Sequence, residues 1–247
     1  MNKNILITGV GKGIGKKILF DCVNNNNFVY GIIRSKSDFS HVKKKINNKN
    51  CKLYLGDIAN LKLVDKIISD SKKMKKDING LINNAGERQR ENFLKIDKKK
   101  IERIFKNNFF NHFFLIQKII SNFKRKKRND FLSIVNIGSI VGLKGFKQLS
   151  GYASTKSALE GLTKSLAVEF AHDKVRFNII HPGFIKTSYF EKFKKNKKLY
   201  NWTINKTPLG HWGEDIDISE LAMFLLSDKA RYITGQSIAV DGGWTIS

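Results

Sequence analysis

A tyrosine, a lysine and a serine whose types suit proton transfer lie in the second half of the chain. Tyr152 and Lys156 are four residues apart in GYASTKSALEGLTKSLAVEF, so a helix there places both side chains on one face. A phenol has a pKa near 10, too high for a base at neutral pH, and an adjacent ammonium group lowers it. Ser139, at the end of the apolar segment IVNIGS, could hydrogen-bond a substrate oxygen on which charge develops.

A glycine-rich turn follows the first apolar run. TGVGKGIG comes directly after NILI and contains Gly9, Gly11, Gly13 and Gly15. Glycine lets the backbone turn tightly and approach a pyrophosphate, which the N–H groups at a helix N-terminus would bind. The dinucleotide pattern G-x-G-x-x-G is not met, because Ile14 stands in place of its last glycine; T-G-x-x-x-G-x-G is met. The turn predicts a nucleotide site.

The end of the second strand-like run indicates the kind of dinucleotide. A carboxylate about 20 residues beyond the glycines would bind the ribose 2′-hydroxyl of NAD, but the segment GIIRSK carries Arg34 instead. A guanidinium there, together with Lys12 inside the glycine turn, would bind a 2′-phosphate through charge-assisted hydrogen bonds. The sequence therefore favours NADP over NAD, and hydride transfer to or from a carbonyl or secondary-alcohol carbon is the reaction that needs this set of groups.

Apolar runs of strand length alternate with amphipathic stretches along the chain. This alternation predicts an α/β fold, a single doubly wound Rossmann-type domain over residues 1–247 with a seven-stranded parallel sheet and helices on both faces. The segment 184–212, rich in aromatic residues and lysines, is expected to form a substrate lid within it. The predicted strands are NILIT, FVYGII, CKLYLG, INGLINN, FLSIVNI, VRFNIIH and QSIAVDG.

Composition excludes several classes of function. No apolar run approaches the roughly 20 residues of a membrane span, and no signal-peptide pattern is present, so we expect a cytoplasmic protein without membrane contact. Cys22 and Cys51 lack metal-ligand spacing, and no metal is expected. The net charge of +25 attracts polyanions in general, but lysine and asparagine are enriched together, which is typical of compositional drift on solvated faces. We therefore expect no nucleic-acid partner.

Together these motifs resemble the short-chain dehydrogenase/reductase family of roughly 250-residue proteins, over essentially the whole chain. Besides the residues above, the resemblance is carried by Asp57 in LGDI, NNAG at 83–86, Asn108, HPGFIKT at 181–187 and the closing TGQSIAVDGG. It implies a homotetramer with strand order 3-2-1-4-5-6-7. The chain departs from the family at Gly138, where many members carry a serine, at Asn111, which replaces a common glycine, and at His211, which replaces the usual arginine.

The resemblance also implies residue roles. Asp57 and Ile58 would flank the adenine, Asn83 and Ala85 would line the cofactor crevice, and Ile185 would lie at the nicotinamide carboxamide with Thr187. Asn108 would hold a water that relays protons through Lys156, which would also bind the nicotinamide ribose. The implied catalytic set is Asn108, Ser139, Tyr152 and Lys156. The implied cofactor-binding set is Gly9, Lys12, Gly13, Ile14, Gly15, Arg34, Asp57, Ile58, Asn84, Ala85, Gly86, Tyr152, Lys156, Pro182, Gly183, Ile185 and Thr187.

The sequence leaves the substrate open. VDGGW, TPLGHWGE and GERQREN are similar to sugar-acid and polyol dehydrogenases of the gluconate 5-dehydrogenase type, which favours a small polar hydroxy/keto compound. The alternative is a 3-oxoacyl-[acyl-carrier-protein] reductase, with acyl carrier protein as partner, although its usual Asp-Asn-Leu-Leu segment after NNAG is absent. The cations Arg88, Arg90, Lys144 and Lys147 are expected to rim the cleft and suit either. A third hypothesis, a non-catalytic nucleotide-binding sensor, predicts loss of a reacting residue, and all are present.

Overall fold

The computed structural model describes residues 3–46, 49–125, 130–187 and 190–247. Seven parallel strands form one sheet in the order β3-β2-β1-β4-β5-β6-β9, and β7 pairs with β8 outside it. The predicted seven-stranded parallel sheet is therefore confirmed, including the implied order, since β9 is the seventh strand of the sheet. The strands of the described ranges are β1 (Asn4–Thr8), β2 (Phe28–Ile33), β3 (Cys51–Leu55), β4 (Gly80–Asn83), β5 (Leu132–Ile137), β6 (Val175–Pro182), β7 (Ile185–Lys186), β8 (Gly213–Glu214) and β9 (Ser237–Val240).

Helices alternate with these strands. In the described ranges they are α1 (Gly13–Asn24), α2 (Lys36–Lys45), α3 (Leu61–Lys73), α4 (Lys98–Phe105), α5 (Asn111–Lys124), α6 (Ser150–Glu169), α7 (Phe190–Lys194), α8 (Lys197–Asn205) and α9 (Asp215–Leu226). The apolar periodicity of the sequence does not predict α2, because most residues of this helix are charged or polar. Its N-terminal signal was present, since the Ser35 hydroxyl accepts a hydrogen bond from the N–H of Asp38, a typical N-cap.

Two hydrophobic clusters cover the sheet. One contains Ile5, Ile7 and Ile82 with residues of α1 and α9, and the other contains Leu6, Leu81 and Ile134 with residues of α3, α5 and α6. Neighbouring residues of one strand thus point to opposite faces. Each strand near the middle of the sheet reads as a continuous apolar run because helices cover both faces. In the part of the chain that the structure describes, no helix is long and apolar enough to span a membrane.

The segment around Asn108 differs from the single long helix that its periodicity predicts. Between α4 and α5 the chain forms a π-helical turn over Lys106–Phe110, where the N–H of Asn111 donates to the carbonyl of Lys106. The extra residue changes the direction of the side chains that follow, and π turns of this kind often occur at functional sites. Periodicity could not reveal it, since one inserted residue barely alters an apolar pattern.

The expected lid is more ordered than an irregular insertion. It contains β7, α7 and α8, and β8, which pairs with β7, follows directly after it; residues 188 and 189 lie outside the described residues. Its aromatic rings surround the buried Trp212, whose indole N–H donates to the Thr203 hydroxyl at 2.8 Å. The rings of Phe184, Phe190 and Phe193 lie with centroids 4.9–5.1 Å from that of Trp212. This packing explains why the segment is aromatic.

Candidate active site

A cleft of about 900 Å³ opens at the carboxyl ends of β1, β4, β5 and β6. Ligands in open parallel sheets bind at this edge, where the strand order reverses between β1 and β4. Most of the predicted site residues meet here although they are far apart in sequence. Those that line the cleft are Lys12, Ile14, Asn84, Gly86, Ser139, Tyr152, Lys156, Pro182, Gly183, Ile185 and Thr187.

The glycine turn is joined directly to the start of the NNAG segment. The Thr8 hydroxyl accepts hydrogen bonds from the N–H groups of Asn84 and Ala85 at 3.0 and 2.9 Å. The Asn84 amide in turn donates to the carbonyls of Thr8 and Gly9, each at 3.1 Å. A Cβ on Gly15 would lie 2.2 Å from the Asn84 amide nitrogen, so a side chain there would separate α1 from β4. Close packing therefore requires glycine at position 15. At positions 9 and 13 the backbone conformation favours glycine, since the φ angles are positive, 73° and 54°.

The N-terminus of α1 fits a phosphate group. The N-cap residue of α1 is Lys12, whose side chain accepts no hydrogen bond from the first N–H groups of the helix. The first turn of α1 carries no acidic residue. These N–H groups therefore remain available to an anion. Thr187 approaches from the opposite wall, 3.6 Å from where a Cβ on Gly13 would lie. A dinucleotide in this cleft would thus pass between α1 and the chain that follows β6.

The residues expected at the adenosine end of a dinucleotide, Arg34, Asp57 and Ile58, lie beyond the cleft, and Arg34 and Asp57 form a ledge there together with Asp38. Arg34 forms an exposed ion pair with Asp57 at 3.7 Å, so the two predicted residues are adjacent. Ile58, expected to flank the adenine, is buried in a core cluster. Asp38, which sequence reasoning did not weigh, places its carboxylate Oδ2 3.2 Å from where a Cβ on Gly11 would lie. The ledge therefore carries both a cation suited to a phosphate and a carboxylate suited to a ribose hydroxyl.

Lys156 connects α6 to the end of β5. Its side chain is buried and its ammonium donates to the carbonyl of Ile137 at 2.7 Å. Burial lowers the pKa of Lys156 from 10.5 to about 8, because a charged amine loses hydration there. Its Nζ lies 5.7 Å from the centroid of the Tyr152 ring.

The pKa of Tyr152 differs from the sequence expectation. Burial raises it above its ordinary value of 10, and a hydrogen bond with Ser139 and the charge of Arg88 only partly offset this. The expected lowering of this pKa by Lys156 is therefore not what dominates: the net shift is upward, and the cation that opposes it is Arg88. Arg88 had been expected only at the rim. Desolvation dominates because the phenolate, like the ammonium, loses hydration in the cleft.

Asn108 is fully buried next to the cleft and does not line it. Its carbonyl oxygen accepts from the N–H of Glu87 at 2.7 Å, and its amide donates to the Glu87 carbonyl at 2.8 Å and to the Thr155 hydroxyl at 3.2 Å. The π-helical turn thus brings Asn108 between the loop after β4 and α6. The side chain holds these two elements together beside Lys156.

Aromatic rings line the end of the cleft away from the glycine turn. Phe146 stacks on Trp244 with centroids 4.9 Å apart, and Phe184 packs edge-on against the same indole at 5.8 Å. The ammonium of Lys206 lies 4.3 Å from the Trp244 centroid. Trp244 reaches the cleft because Gly242 and Gly243 turn the chain with φ angles of 65° and 86°. The sequence indicated aromatic residues in the lid but not this wall.

Two buried histidines were missed by sequence reasoning. His112 Nε2 lies 2.6 Å from the carbonyl oxygen of Ala85, behind the NNAG segment, and burial lowers its pKa to about 4. His181 contacts Ser139 through its ring. His112 lies in none of the motifs noted above, and His181 begins HPGFIKT, but the motif does not reveal its contact with Ser139. Of the noted departures, Asn111 is buried in the first turn of α5, and His211 is exposed with Nδ1 3.0 Å from the Trp212 carbonyl oxygen.

The pKa of Lys156 predicts a specific dependence of stability on pH. The unfolded chain keeps this proton up to about pH 10.5, so between about pH 8 and 10.5 the unfolded state binds more protons and stability increases as pH rises. Relative to Lys156→Met, the free energy of unfolding of the native protein should increase by roughly 2 to 3 kcal/mol from pH 7.5 to 10. Urea denaturation at both pH values measures this.

The exposed Lys164, paired with Glu160, provides the control. The difference between the native protein and Lys164→Met should be nearly independent of pH over this interval. A flat difference for Lys156→Met as well would show that the buried amine titrates normally.

Comparison with known proteins gives one consistent result. A family model described as enoyl-(acyl carrier protein) reductase matches residues 9–245. A 3-oxoacyl-[acyl-carrier-protein] reductase of Buchnera aphidicola subsp. Acyrthosiphon pisum is 31% identical over 240 residues, which cover 96% of this chain and 95% of the relative. Among solved structures, a 4-hydroxyisoleucine dehydrogenase complexed with NADH has a TM-score of 0.91 at 29% identity, covering 100% of both chains. ElxO with NADP bound has a TM-score of 0.90 at 28% identity, again covering 100% of both chains. The chain belongs to the short-chain dehydrogenase/reductase family of NAD(P)-binding oxidoreductases.

Proposed function

We propose that the protein transfers a hydride between NADP(H) and a carbonyl or secondary-alcohol carbon, with Tyr152, Ser139 and Lys156 as catalytic residues. The observation that carries this proposal is that all three line one cleft together with the glycine turn at Lys12 and Ile14. The bound dinucleotide would supply the hydride. Its pyrophosphate would lie at the N-terminus of α1, and its nicotinamide beside Ile185 and Thr187.

Side chains of the protein would protonate the substrate oxygen and stabilise the charge that develops on it. The raised pKa of Tyr152 keeps its phenol protonated at neutral pH, which suits a general acid that protonates the substrate oxygen during carbonyl reduction. Ser139 would donate a hydrogen bond to the same oxygen as charge develops. Lys156 would hold the end of β5 in place and bind ribose hydroxyls. Asn108 would position the loop after β4. It would also hold a water that relays protons through Lys156, as the resemblance to the family implies.

Two cations support NADP as the cofactor. Lys12 lines the cleft at the glycine turn, and Arg34 lies on the ledge beside Asp57. Both can reach toward the adenosine end of a bound dinucleotide, where a 2′-phosphate would be held by charge-assisted hydrogen bonds. Asp38 is the feature that would favour NAD.

We infer that the substrate is a small polar hydroxy/keto compound such as a sugar acid or polyol, and the cations of the cleft favour one that carries a negative charge. Of the four cations expected at the rim, Arg88, Arg90 and Lys147 line the cleft and Lys144 does not, while Lys206 lines it as well. Among the described residues that line the cleft, Glu87 is the one carboxylate. Glu87 itself is engaged with Arg103 and Asn107. The aromatic wall around Trp244 offers flat faces to the C–H side of such a molecule. The segment 184–212 would act as the lid over it, within one domain of residues 1–247.

A second candidate is the reduction of 3-oxoacyl groups carried by acyl carrier protein. The apolar part of the wall suits an acyl chain, and the basic rim suits an acidic carrier. The relatives that bear this name support it. A panel of keto sugar acids, polyols, 3-oxoacyl thioesters and simple ketones, assayed with NADPH and NADH, separates the two candidates.

The proposal includes a homotetramer. Phe110, Phe113 and Phe114 on α5 and the adjoining π-helical turn are each 37–47% exposed, and their rings form a chain of contacts with Phe109. Such a patch is a candidate subunit interface, and sedimentation of the purified protein tests it: a monomer at micromolar concentration would contradict it.

Replacing Tyr152 by Phe should lower kcat about 10²- to 10⁴-fold, because the phenolic proton is lost. NADPH affinity, measured by nucleotide fluorescence, should change little. Tyr232→Phe is the matched control, since Tyr232 is almost fully exposed, and it should keep full activity. Unchanged turnover in Tyr152→Phe would contradict the proton-transfer role, and a native protein that binds NADPH without turning over any panel substrate would indicate a sensor.

Replacing Arg34 by Ala should raise the KM for NADPH about 10- to 100-fold, as expected for a lost charge-assisted hydrogen bond, and should leave the KM for NADH nearly unchanged. Arg231→Ala, an exposed arginine outside the cleft, is the control. The proposal of NADP fails if the native protein has a higher kcat/KM with NADH than with NADPH.

A further inference from the structure

The imidazole of His181 is fully buried on β6, and both of its nitrogens have partners. Nδ1 lies 2.9 Å from the carbonyl oxygen of Ser139 and 3.2 Å from the Ser139 backbone nitrogen, and Nε2 lies 3.0 Å from the Ser237 hydroxyl. With the proton on Nδ1, the ring donates to the Ser139 carbonyl. With the proton on Nε2, it accepts from the Ser139 N–H. In either tautomer one ring nitrogen holds the backbone of Ser139.

The contact between His181 and Ser139 lies where the backbone pairing of β5 with β6 ends. Residue pairing between β5 and β6 ends at Ile137 and Ile180, and the N–H of Gly138 donates to the Ile180 carbonyl at 2.7 Å. Beyond that point β5 and β6 no longer pair, although β6 continues to pair with β9, His181 with Ala239 and Pro182 with Val240. The His181 side chain therefore provides the next hydrogen bond to β5. Ser139, one residue further along, is held from β6 by a side chain.

Gly138 makes room for this ring. A Cβ at position 138 would lie 2.6 Å from His181 Nδ1, 2.8 Å from Cε1 and 3.1 Å from the Ile179 side chain. The imidazole thus occupies the space that a serine at 138, common in the family, would need. The glycine at position 138 and the imidazole at position 181 therefore depend on each other, because a side chain at 138 would collide with the ring.

The outer side of the ring fixes its orientation. Nε2 faces the Ser237 hydroxyl and the carboxylate of Glu160, which is 3.7 Å away, and Glu160 is bonded to Lys164. The charged groups facing the ring are thus Glu160, Lys164 and Lys156. Burial lowers the pKa of His181, and the hydrogen bond to Ser139 and the charge of Glu160 offset this only in part, which favours the uncharged ring with one acceptor nitrogen.

We propose that His181 is a positioning residue for Ser139: its ring, in the space left by Gly138 and oriented by Ser237, fixes the backbone from which the Ser139 hydroxyl reaches the substrate oxygen. This rests on the proposed function, in which that hydroxyl stabilises developing charge. A displacement of about 1 Å in such a donor can cost on the order of 100-fold in rate. His181 itself does not line the cleft.

A double-mutant cycle between positions 181 and 139 tests this proposal, because a residue that acts through Ser139 should have no effect once the Ser139 hydroxyl is removed. His181→Leu, similar in bulk but without nitrogens, should lower kcat about 10- to 100-fold, with the KM and dissociation constant for NADPH unchanged. In the Ser139→Ala background the same substitution should change kcat less than about twofold. His181→Asn, whose amide can occupy the place of Nδ1, should restore most of the activity.

Two results would overturn the proposal. One is full kcat in His181→Leu, and the other is an equal loss in both backgrounds, which indicates general damage to the fold. Should His181→Leu fail to fold, Gly138→Ser takes its place in the cycle, since its side chain must displace the ring. Gly138→Ser should then lower kcat in the native background and change it less than about twofold in the Ser139→Ala background, and an equal loss in both backgrounds would count against the proposal.

The cycle also separates this inference from the proposed function. If Ser139→Ala and Tyr152→Phe both keep full kcat, the proposed chemistry is wrong. If Ser139→Ala loses activity while His181→Leu does not, only the positioning role of His181 is wrong.

Discussion

The hydrogen bond from the Lys156 ammonium to the Ile137 carbonyl is the interaction on which the geometry of the site depends. A buried ammonium is costly unless it is hydrogen-bonded, and the unpaired carbonyls at the carboxyl end of a strand are natural acceptors. Since Lys156 and Tyr152 are one turn apart on α6, the same bond fixes the phenol relative to β5. Ser139 lies two residues beyond Ile137. One buried charge thus brings together the groups proposed to act on the substrate.

The end of β5 is held from two sides. α6 contributes Lys156, and β6 contributes His181. Both groups are buried and both form hydrogen bonds to backbone atoms just where the β5–β6 ladder ends. Strand ends normally move more than strand centres because their hydrogen bonds are fewer. Here side chains supply the missing bonds, which suits a serine whose hydroxyl must be placed accurately.

The cofactor side is built differently, by close backbone approach. Gly15 lets α1 contact Asn84, and the Thr8 hydroxyl bridges the end of β1 to the N–H groups after β4. These contacts leave the N–H groups of α1 facing the cleft. The ledge with Arg34 and Asp38 lies outside these contacts, so the side chains proposed to distinguish NADP from NAD are not part of the backbone framework at the glycine turn.

Much of this protein follows from its sequence, because the main signals are local. Alternating apolar runs predicted the strands of the sheet and most of the helices between them, although not α2, and the motifs around Gly9, Ser139 and Tyr152 predicted residues that the fold brings to one cleft. Local pattern could not predict the pKa of Tyr152, since its neighbour Arg88 comes from a different loop and desolvation depends on the whole cleft. The π-helical turn at Asn108, the Trp244 wall and the fit of His181 against Gly138 were likewise decided only by tertiary structure. Each depends on which distant side chains share a small volume, and no spacing along the chain encodes that.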